Sequence, residues 1–415
     1  MHLFSSKFVK PPDHVNEITG SVTTPRGFRA SGIAAGLKKS GKPDLGMLVS
    51  ESPCTSATLY TPNAAAAAPI RVCREETAAG ALQAVVVNSG SANACTGERG
   101  LEDARAMVKL AAAKIGIDPR FMAVASTGVI GQKLPMEAVE PGIKFAADSL
   151  SKSGGGDFAD AIHTTDKLDK DGAVEVNLSQ GTATIGACAK GAGMIAPALA
   201  TLLVFVTTDA VIPAPLLRKM LTAAAGGSFN AVSVDGDMST NDFILLMANA
   251  ESGVAIEPGG GDAILFSEAL AAVCKGLALK IVADGEGATK VIELNINGAA
   301  GAEEAVRVAG AISNSALVKT AFYGRDANWG RLIAAAGAAL AGQPELLADI
   351  HYEEVCLARG GVACETAPDP ERLKEIMGKP EISVTLDLRR GGSSHTMYFS
   401  DLTHDYVTLN AEYTT

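Results

Sequence analysis

The sequence predicts an α+β protein built in layers, with sheets covered by helices. Three observations lead there. Strand-type and helix-type hydrophobic periods alternate irregularly along the chain. The 415 residues are enough for two domains and a large buried core. The apolar share is 47% while aromatics are only 5%, so the interior is mostly Ala, Val, Leu and Ile, whose small side chains let helices lie close to sheets.

Taken in order, residues 84–88 (AVVVN) form a short β-branched run expected to be a buried strand. Leu101, Ala104, Val108, Ala111 and Ile115 recur at helical spacing, and Gly116 is placed to cap that helix. Residues 151–158 (SKSGGGDF) and 257–262 (EPGGGD) read as exposed loops near which a boundary fits. Val174, Val176 and Leu178 alternate with polar neighbours, Gln180-Gly181 turns the chain, and Ala183, Ile185 and Ala187 alternate again. That is a β-hairpin. Residues 202–207 read as a fully buried strand, and Phe266, Leu270, Val273 and Leu277 place a helix over 263–280. Ile292, Leu294 and Ile296 mark a half-buried strand. Residues 303–313 and 330–340 have helical character, and 382–388 and 396–400 flank Gly391-Gly392 as an expected second hairpin. There is no internal repeat and no long low-complexity tract.

Charge and cysteine usage exclude several classes. The net charge of −11 argues against a nucleic-acid partner and against an anionic membrane surface. The 7 cysteines include no C-x-x-C pair and no zinc-type spacing, which fits a reduced compartment. The apolar stretch 194–206 is too short for a membrane span and contains Pro197. The first residues carry neither a signal-peptide core nor an Arg-rich presequence. A cytoplasmic location is the expectation.

The most informative stretch is 190–209, KGAGMIAPALATLLVFVTTD. A glycine-rich loop leads through Pro197 and the small Ala200 to Thr201, at the start of the buried strand. An N-terminal nucleophile needs that order of parts: a loop that bends and a strand that holds the hydroxyl rigidly. Thr201 Oγ would attack the Ala200 carbonyl, water would hydrolyse the resulting ester, and the freed α-amine would serve as base for its own hydroxyl. From this segment alone an ordinary strand threonine is the commoner reading. Gly191-x-Gly193-x-x-Ala196 also matches a dinucleotide fingerprint, but Pro197 and the following strand leave no room for the helix such a site requires.

Further segments decide between these readings. In order along the chain stand TPRGFRASGIAAGLK from Thr24, VVVNSGSANACTG from Val85, ASTGVIG from Ala125, AIHTTD from Ala161, VDGDMSTND from Val234, ADGEGATK from Ala283, YGRDANWGR from Tyr323 and the terminal LNAEYTT. Together with 190–209 they resemble the glutamate N-acetyltransferases, also called ornithine acetyltransferases, of arginine biosynthesis. The resemblance covers nearly the whole chain. It implies a layered αββα sandwich of the ornithine acetyltransferase type, self-cleaved between Ala200 and Thr201. Residues 1–200 would form an α chain and 201–415 a β chain, assembled as a heterotetramer of two of each. The implied activity moves acetyl from N-acetylornithine to glutamate. The resemblance implies no metal and no organic cofactor, and leaves open whether acetyl-CoA is a second donor.

The resemblance also assigns residues. Thr201 is the implied nucleophile, and Thr127 with Gly128 the implied oxyanion hole; a plain turn is the alternative for the pair. Lys190, Thr164, Thr201, Glu286, Asn410 and Thr415 are the implied substrate contacts. A surface lysine is the alternative for Lys190, and a solvated turn carboxylate for Glu286. For Thr164 the alternatives are a helix N-cap or its neighbour Thr165 as the contact. A frayed tail is the alternative for Asn410 and Thr415. Asp235, Asp237 and Asp242 lack the full spacing of a calcium loop and are expected to brace turns or the site.

Overall fold

The computed structural model describes residues 2–196, 202–366 and 369–412. Ala200, Thr201 and Thr415 therefore lie outside the described residues.

The chain forms four layers, helix–sheet–sheet–helix, with a further sheet-and-helix unit built from its C-terminal part. A four-stranded sheet runs in the order Phe28–Ile33, Leu45–Ser50, Ala84–Ser91, Met122–Val129. Helices Ala68–Glu76, Gly97–Ile115 and Met136–Asp148 share its core. Beside it lies a six-stranded sheet in the order Val15–Ile18, Asp171–Leu178, Gly181–Lys190, Leu203–Thr208, Phe243–Ala248, Thr55–Tyr60. Helices Ala214–Gly226 and Gly261–Ala283 cover its far face.

The apolar runs follow from this stacking. In Leu203–Thr208, Leu203 and Phe205 enter the core shared with the four-stranded sheet, while Val204 and Val206 enter the core under the outer helices. Phe243 and Leu245 face the first core in the same way, and Ile244 and Leu246 the second. A strand buried on both faces has no polar face to show, so its sequence is continuously apolar. Phe158 meets Phe205 edge-on across the inner layer, with ring centroids 5.1 Å apart.

The expected hairpin is present, with Leu178 opposite Gly181. The helix Gly97–Ile115 ends as read: Gly116 adopts φ 77° and its N–H donates to the Ala112 carbonyl. The division expected at 200/201 falls between neighbouring strands of one sheet, since Gly181–Lys190 pairs antiparallel with Leu203–Thr208.

Two expectations are corrected. Residues 151–158 are not an open loop: Gly155 begins the helix Gly155–Ile162, which packs against Phe28–Ile33. A Cβ on Gly32 would lie 1.8 Å from the Asp157 carbonyl oxygen, and one on Gly154 2.0 Å from that of Ala30. The glycines there serve close packing. The second correction concerns Glu381–Asp387 and Ser393–Ser400, which do not pair. Val291–Ala299 lies between them, parallel to the first and antiparallel to the second. The Gly391 link passes over the end of that middle strand, with Arg390 and Gly391 N–H groups both donating to the Gly298 carbonyl at 2.7 and 2.8 Å. Alternation identifies strands but not their neighbours. These strands belong to a seven-stranded sheet whose core is closed by helices Ala302–Ser313, Ala316–Tyr323 and Trp329–Ala339.

Candidate active site

Thr127 and Gly128 stand near the end of Met122–Val129, where parallel pairing with Ala84–Ser91 slips at Gly90 and Ser91. Gly128 adopts φ 128°, and a Cβ there would come within 2.4 Å of the Gly90 carbonyl carbon. Conformation and space both demand glycine. Thr127 is buried at 3% exposure, and its Oγ1 lies 3.4 Å from Lys190 Nζ, which donates to it.

Lys190 is the last residue of its strand and is only 3% exposed, so it is no surface lysine. It pairs in register with Leu203, placing it beside the strand that follows Thr201. Leu202 is buried, and its N–H donates to Asp242 Oδ1 at 3.1 Å. Burial pushes the Asp242 carboxyl well above the usual range, against the bond from Leu202 N–H and the Lys190 charge.

Burial also lowers the Lys190 pKa; Asp166 opposes that, Lys170 adds to it, and Glu286 and Asp242 oppose it. Asp166 is the centre of a buried network. It accepts from Lys170 Nζ at 2.7 Å, from Gly191 N–H at 2.7 Å and from Thr164 N–H at 2.9 Å. Lys170 also donates to Asp284 at 2.5 Å, and Asp284 accepts from Lys167 N–H at 3.0 Å. The network thus ties together the turn carrying Thr164, the loop after Lys190 and the turn carrying Glu286. For Asp166 itself, burial pushes the carboxyl up, but Lys190, Lys170 and His163 outweigh it and hold it far below the usual carboxylate range.

Glu286 is half-buried, and its N–H donates to the Ala192 carbonyl at 2.9 Å. Its carboxylate lies over Gly193, where a Cβ would stand 2.8 Å from its atoms. Asn410, on the terminal helix His404–Glu412, donates to Glu286 Oε2 at 2.8 Å. That bond turns the end of the described chain back onto the site. Asp235 accepts from Met194 and Ile195 N–H groups at 2.6 and 2.8 Å, so it braces the glycine-rich loop, as expected for this acidic stretch.

A cavity of about 1240 Å³ brings these groups together: Thr127, Gly128, Thr164, Lys190, Glu286 and Asn410 all line it. Thr165 lines it too. Thr164 follows the helix Gly155–Ile162 and caps no helix start. Thr201 and Thr415 lie outside the described residues, so the gathering of the other six stands without them. Sequence reasoning missed Lys170 and Asp284, although Asp166 and Asp284 sit inside the HTTD and ADGEG segments already noted. Nothing in a sequence marks which acid of a motif faces a buried lysine. Chemically, the cavity offers a hydroxyl and a glycine N–H at one strand end, a buried ammonium beside them, and a carboxylate across from it. Such a set suits an α-amino acid and an acyl oxyanion.

Comparison with known proteins places these features in context. The model of the ArgJ family matches residues 29–415. The arginine biosynthesis bifunctional protein ArgJ of Symbiobacterium thermophilum is 46% identical over 401 residues, covering 96% of this chain and 99% of that protein. The protein of the same description from Geobacter sulfurreducens is 44% identical over 397 residues, with 94% and 99% covered. A crystal structure of ornithine acetyltransferase complexed with ornithine, from Mycobacterium tuberculosis, is 36% identical over 46% of this chain and 100% of that chain, with a TM-score of 0.41.

Proposed function

This chain belongs to the ArgJ family, and from that premise we propose that it transfers acetyl from N2-acetyl-L-ornithine to L-glutamate by double displacement through acetyl-Thr201. The observation that carries the reading is the convergence of Lys190 on Thr127, beside the strand that Thr201 precedes, with Glu286 lining the same cavity.

The nucleophile first has to be made. Thr201 Oγ attacks the Ala200 carbonyl, and hydrolysis of the ester leaves Thr201 with a free α-amine of pKa near ~8. That amine then takes the hydroxyl proton as Oγ attacks the acetyl carbonyl of N-acetylornithine. The Thr127 hydroxyl and Gly128 N–H receive the developing oxyanion, where one well-aimed donor is worth about 3–4 kcal/mol. Lys190 and Thr164 hold the substrate carboxylate, Glu286 holds or relays protons of the amine, and Asn410 orients Glu286. Thr415 is a further substrate contact in this reading. Ornithine leaves with the proton, and the glutamate amine takes the acetyl group. One polar pocket serves both α-amino acids. The exchange of one amide for another is close to thermoneutral and calls for no metal or organic cofactor; acetyl-CoA is a second donor in this reading.

Chains 1–200 and 201–415 remain together after cleavage, because they contribute neighbouring strands to one sheet, and two such pairs form a heterotetramer. The setting is the cytoplasm. Among the described residues no helix is long and apolar enough to cross a membrane. Initial rates at varied acetylornithine and glutamate test the cycle. Parallel double-reciprocal lines are expected; intersecting lines would refute a covalent acetyl intermediate, and acetate release without glutamate would point to hydrolysis instead.

A further inference from the structure

Two consecutive residues just ahead of the strand Phe243–Ala248 each hold a backbone group next to the reaction centre. The first, Asn241, reaches across to the four-stranded sheet. Its Nδ2 donates to the Ser126 carbonyl at 2.8 Å and to the Ala92 carbonyl at 2.7 Å. Ser126 immediately precedes Thr127. Ala92 N–H in turn donates to the carbonyl of Val129, immediately after Gly128, at 3.0 Å. One amide therefore brackets the candidate oxyanion pair on both sides. The second, Asp242, acts within its own sheet, where its Oδ1 accepts the Leu202 N–H at 3.1 Å. That N–H belongs to the planar peptide unit whose carbonyl is that of Thr201. Holding it fixes one side of the nucleophile's backbone.

The pair sits on a rigid mount. The carbonyls of Met238, Ser239, Thr240 and Asp242 accept from Asn63 Nδ2, Thr61 Oγ1, Ala67 N–H and Thr61 N–H at 2.9, 2.7, 2.9 and 3.0 Å. Both side chains are buried. Asn241 Oδ1 accepts from Thr240 Oγ1 at 2.6 Å, and both Nδ2 hydrogens are in use, so the carboxamide has no donor left for a substrate. A group without those donors would leave two buried carbonyls unpaired. Burial pushes the Asp242 carboxyl up, which suits a neutral acceptor better than a base. The pair belongs to the part of the chain beyond residue 200, whereas Ala92 and Ser126 belong to the part before it. It thus joins the two pieces that self-cleavage would create, at the point where their reacting groups must meet.

We propose that Asn241 and Asp242 form a clamp that sets the alignment of the Thr201 hydroxyl against the Thr127–Gly128 oxyanion hole. The inference rests on the acetyl-Thr201 reading above. Both are positioning residues: Asn241 acts through the Ser126 and Ala92 carbonyls, and Asp242 through the Leu202 N–H. Self-cleavage and acetyl transfer both need the hydroxyl held in place, so the clamp serves both. A reacting group misplaced by about 1 Å can lose about 10²-fold in rate, which is the scale of effect a loosened clamp should have.

The test uses the full chain and the variants N241D, D242N and D242L. The rate of self-cleavage is followed by intact mass, and kcat and KM for acetyl exchange are measured per cleaved chain. The two exchanges of acid for amide keep size and shape but should give opposite results. In D242N the amide oxygen still accepts from Leu202 N–H, so cleavage and kcat should stay close to wild type. N241D cannot supply both donors, and D242L supplies no acceptor. Each should slow cleavage and lower kcat by about ten- to a hundredfold with KM little changed. Should D242L fail to fold, the two isosteric variants decide. A wild-type kcat in N241D would overturn the proposal. So would a D242N as impaired as D242L, which would mean that Asp242 acts by its charge. A KM in N241D that rises as far as kcat falls would make Asn241 a substrate contact and overturn it as well. These results leave the Thr201 reading intact, whereas a wild-type chain that neither cleaves nor exchanges acetyl would defeat both.

Discussion

At the residue scale, the site depends on a few groups whose positions are fixed by burial. Thr127 is held between its strand and Lys190, so a shorter side chain removes the candidate oxyanion donor together with the acceptor of the Lys190 bond. Thr127→Ala is therefore expected to lower kcat by about 10²–10³-fold with KM little changed, and Thr127→Ser to recover most of that loss; a KM effect alone would contradict an oxyanion role. Lys190 titrates below an ordinary lysine because of burial, and Asp166 is the strongest influence holding it up. Removing that anion with Asp166→Asn must lower the Lys190 pKa further. If the ammonium form binds substrate, the alkaline limb of kcat/KM shifts to lower pH in the variant. A limb that stays in place would show that Asp166 only braces the loop. Asp166 also links stability to pH. Its folded-state carboxyl titrates below the unfolded one, so it stabilises the fold above the ordinary carboxylate range, and that contribution is lost as pH falls through the folded value.

At the scale of elements, the strand Leu203–Thr208 is the piece on which the site hangs. It is buried throughout, bonded on one side to Gly181–Lys190 and on the other to Phe243–Ala248. Phe205 joins Phe158 and Phe243 across the inner layer. Phe205→Ala leaves a cavity that this layer cannot close, and should cost about 3–5 kcal/mol, read as a lower denaturant midpoint. An unchanged midpoint would mean the inner layer is not packed as described. This strand was legible in the sequence because its apolar run is unbroken, and so was the hairpin before it, because both arms alternate. The two C-terminal strands were legible as strands, but the intervening Val291–Ala299 comes from about ninety residues earlier, and periodicity carries no record of it. The glycines of 154–156 misled for a related reason: glycine signals a loop and a close helix–strand contact equally well, and only Ala30 and Asp157 opposite distinguish them.

For the whole molecule, the notable feature is that the expected cleavage point divides a sheet. Two adjacent strands from beyond residue 200, Leu203–Thr208 and Phe243–Ala248, lie between strands from before it in the six-stranded sheet. Two separated pieces would each expose unpaired strand edges and half of a shared core. After cleavage the fragments should co-elute in native buffer and separate only in denaturant; separation without denaturant would count against the shared sheet. The layered architecture was legible from composition and period, and the αββα order from the resemblance. The additional seven-stranded sheet was not. The buried Asp166–Lys170–Asp284 network was not either, since its three residues become neighbours only when distant turns meet.

The claim on which the rest depends is that Thr201 makes itself the nucleophile. Intact mass spectrometry of the purified protein beside Thr201→Ala tests it most directly. Two fragments that meet at Ala200 and Thr201 are expected in the wild type, and one uncut chain in the variant. A single uncut wild-type chain, or a variant cut at the same place, would contradict it.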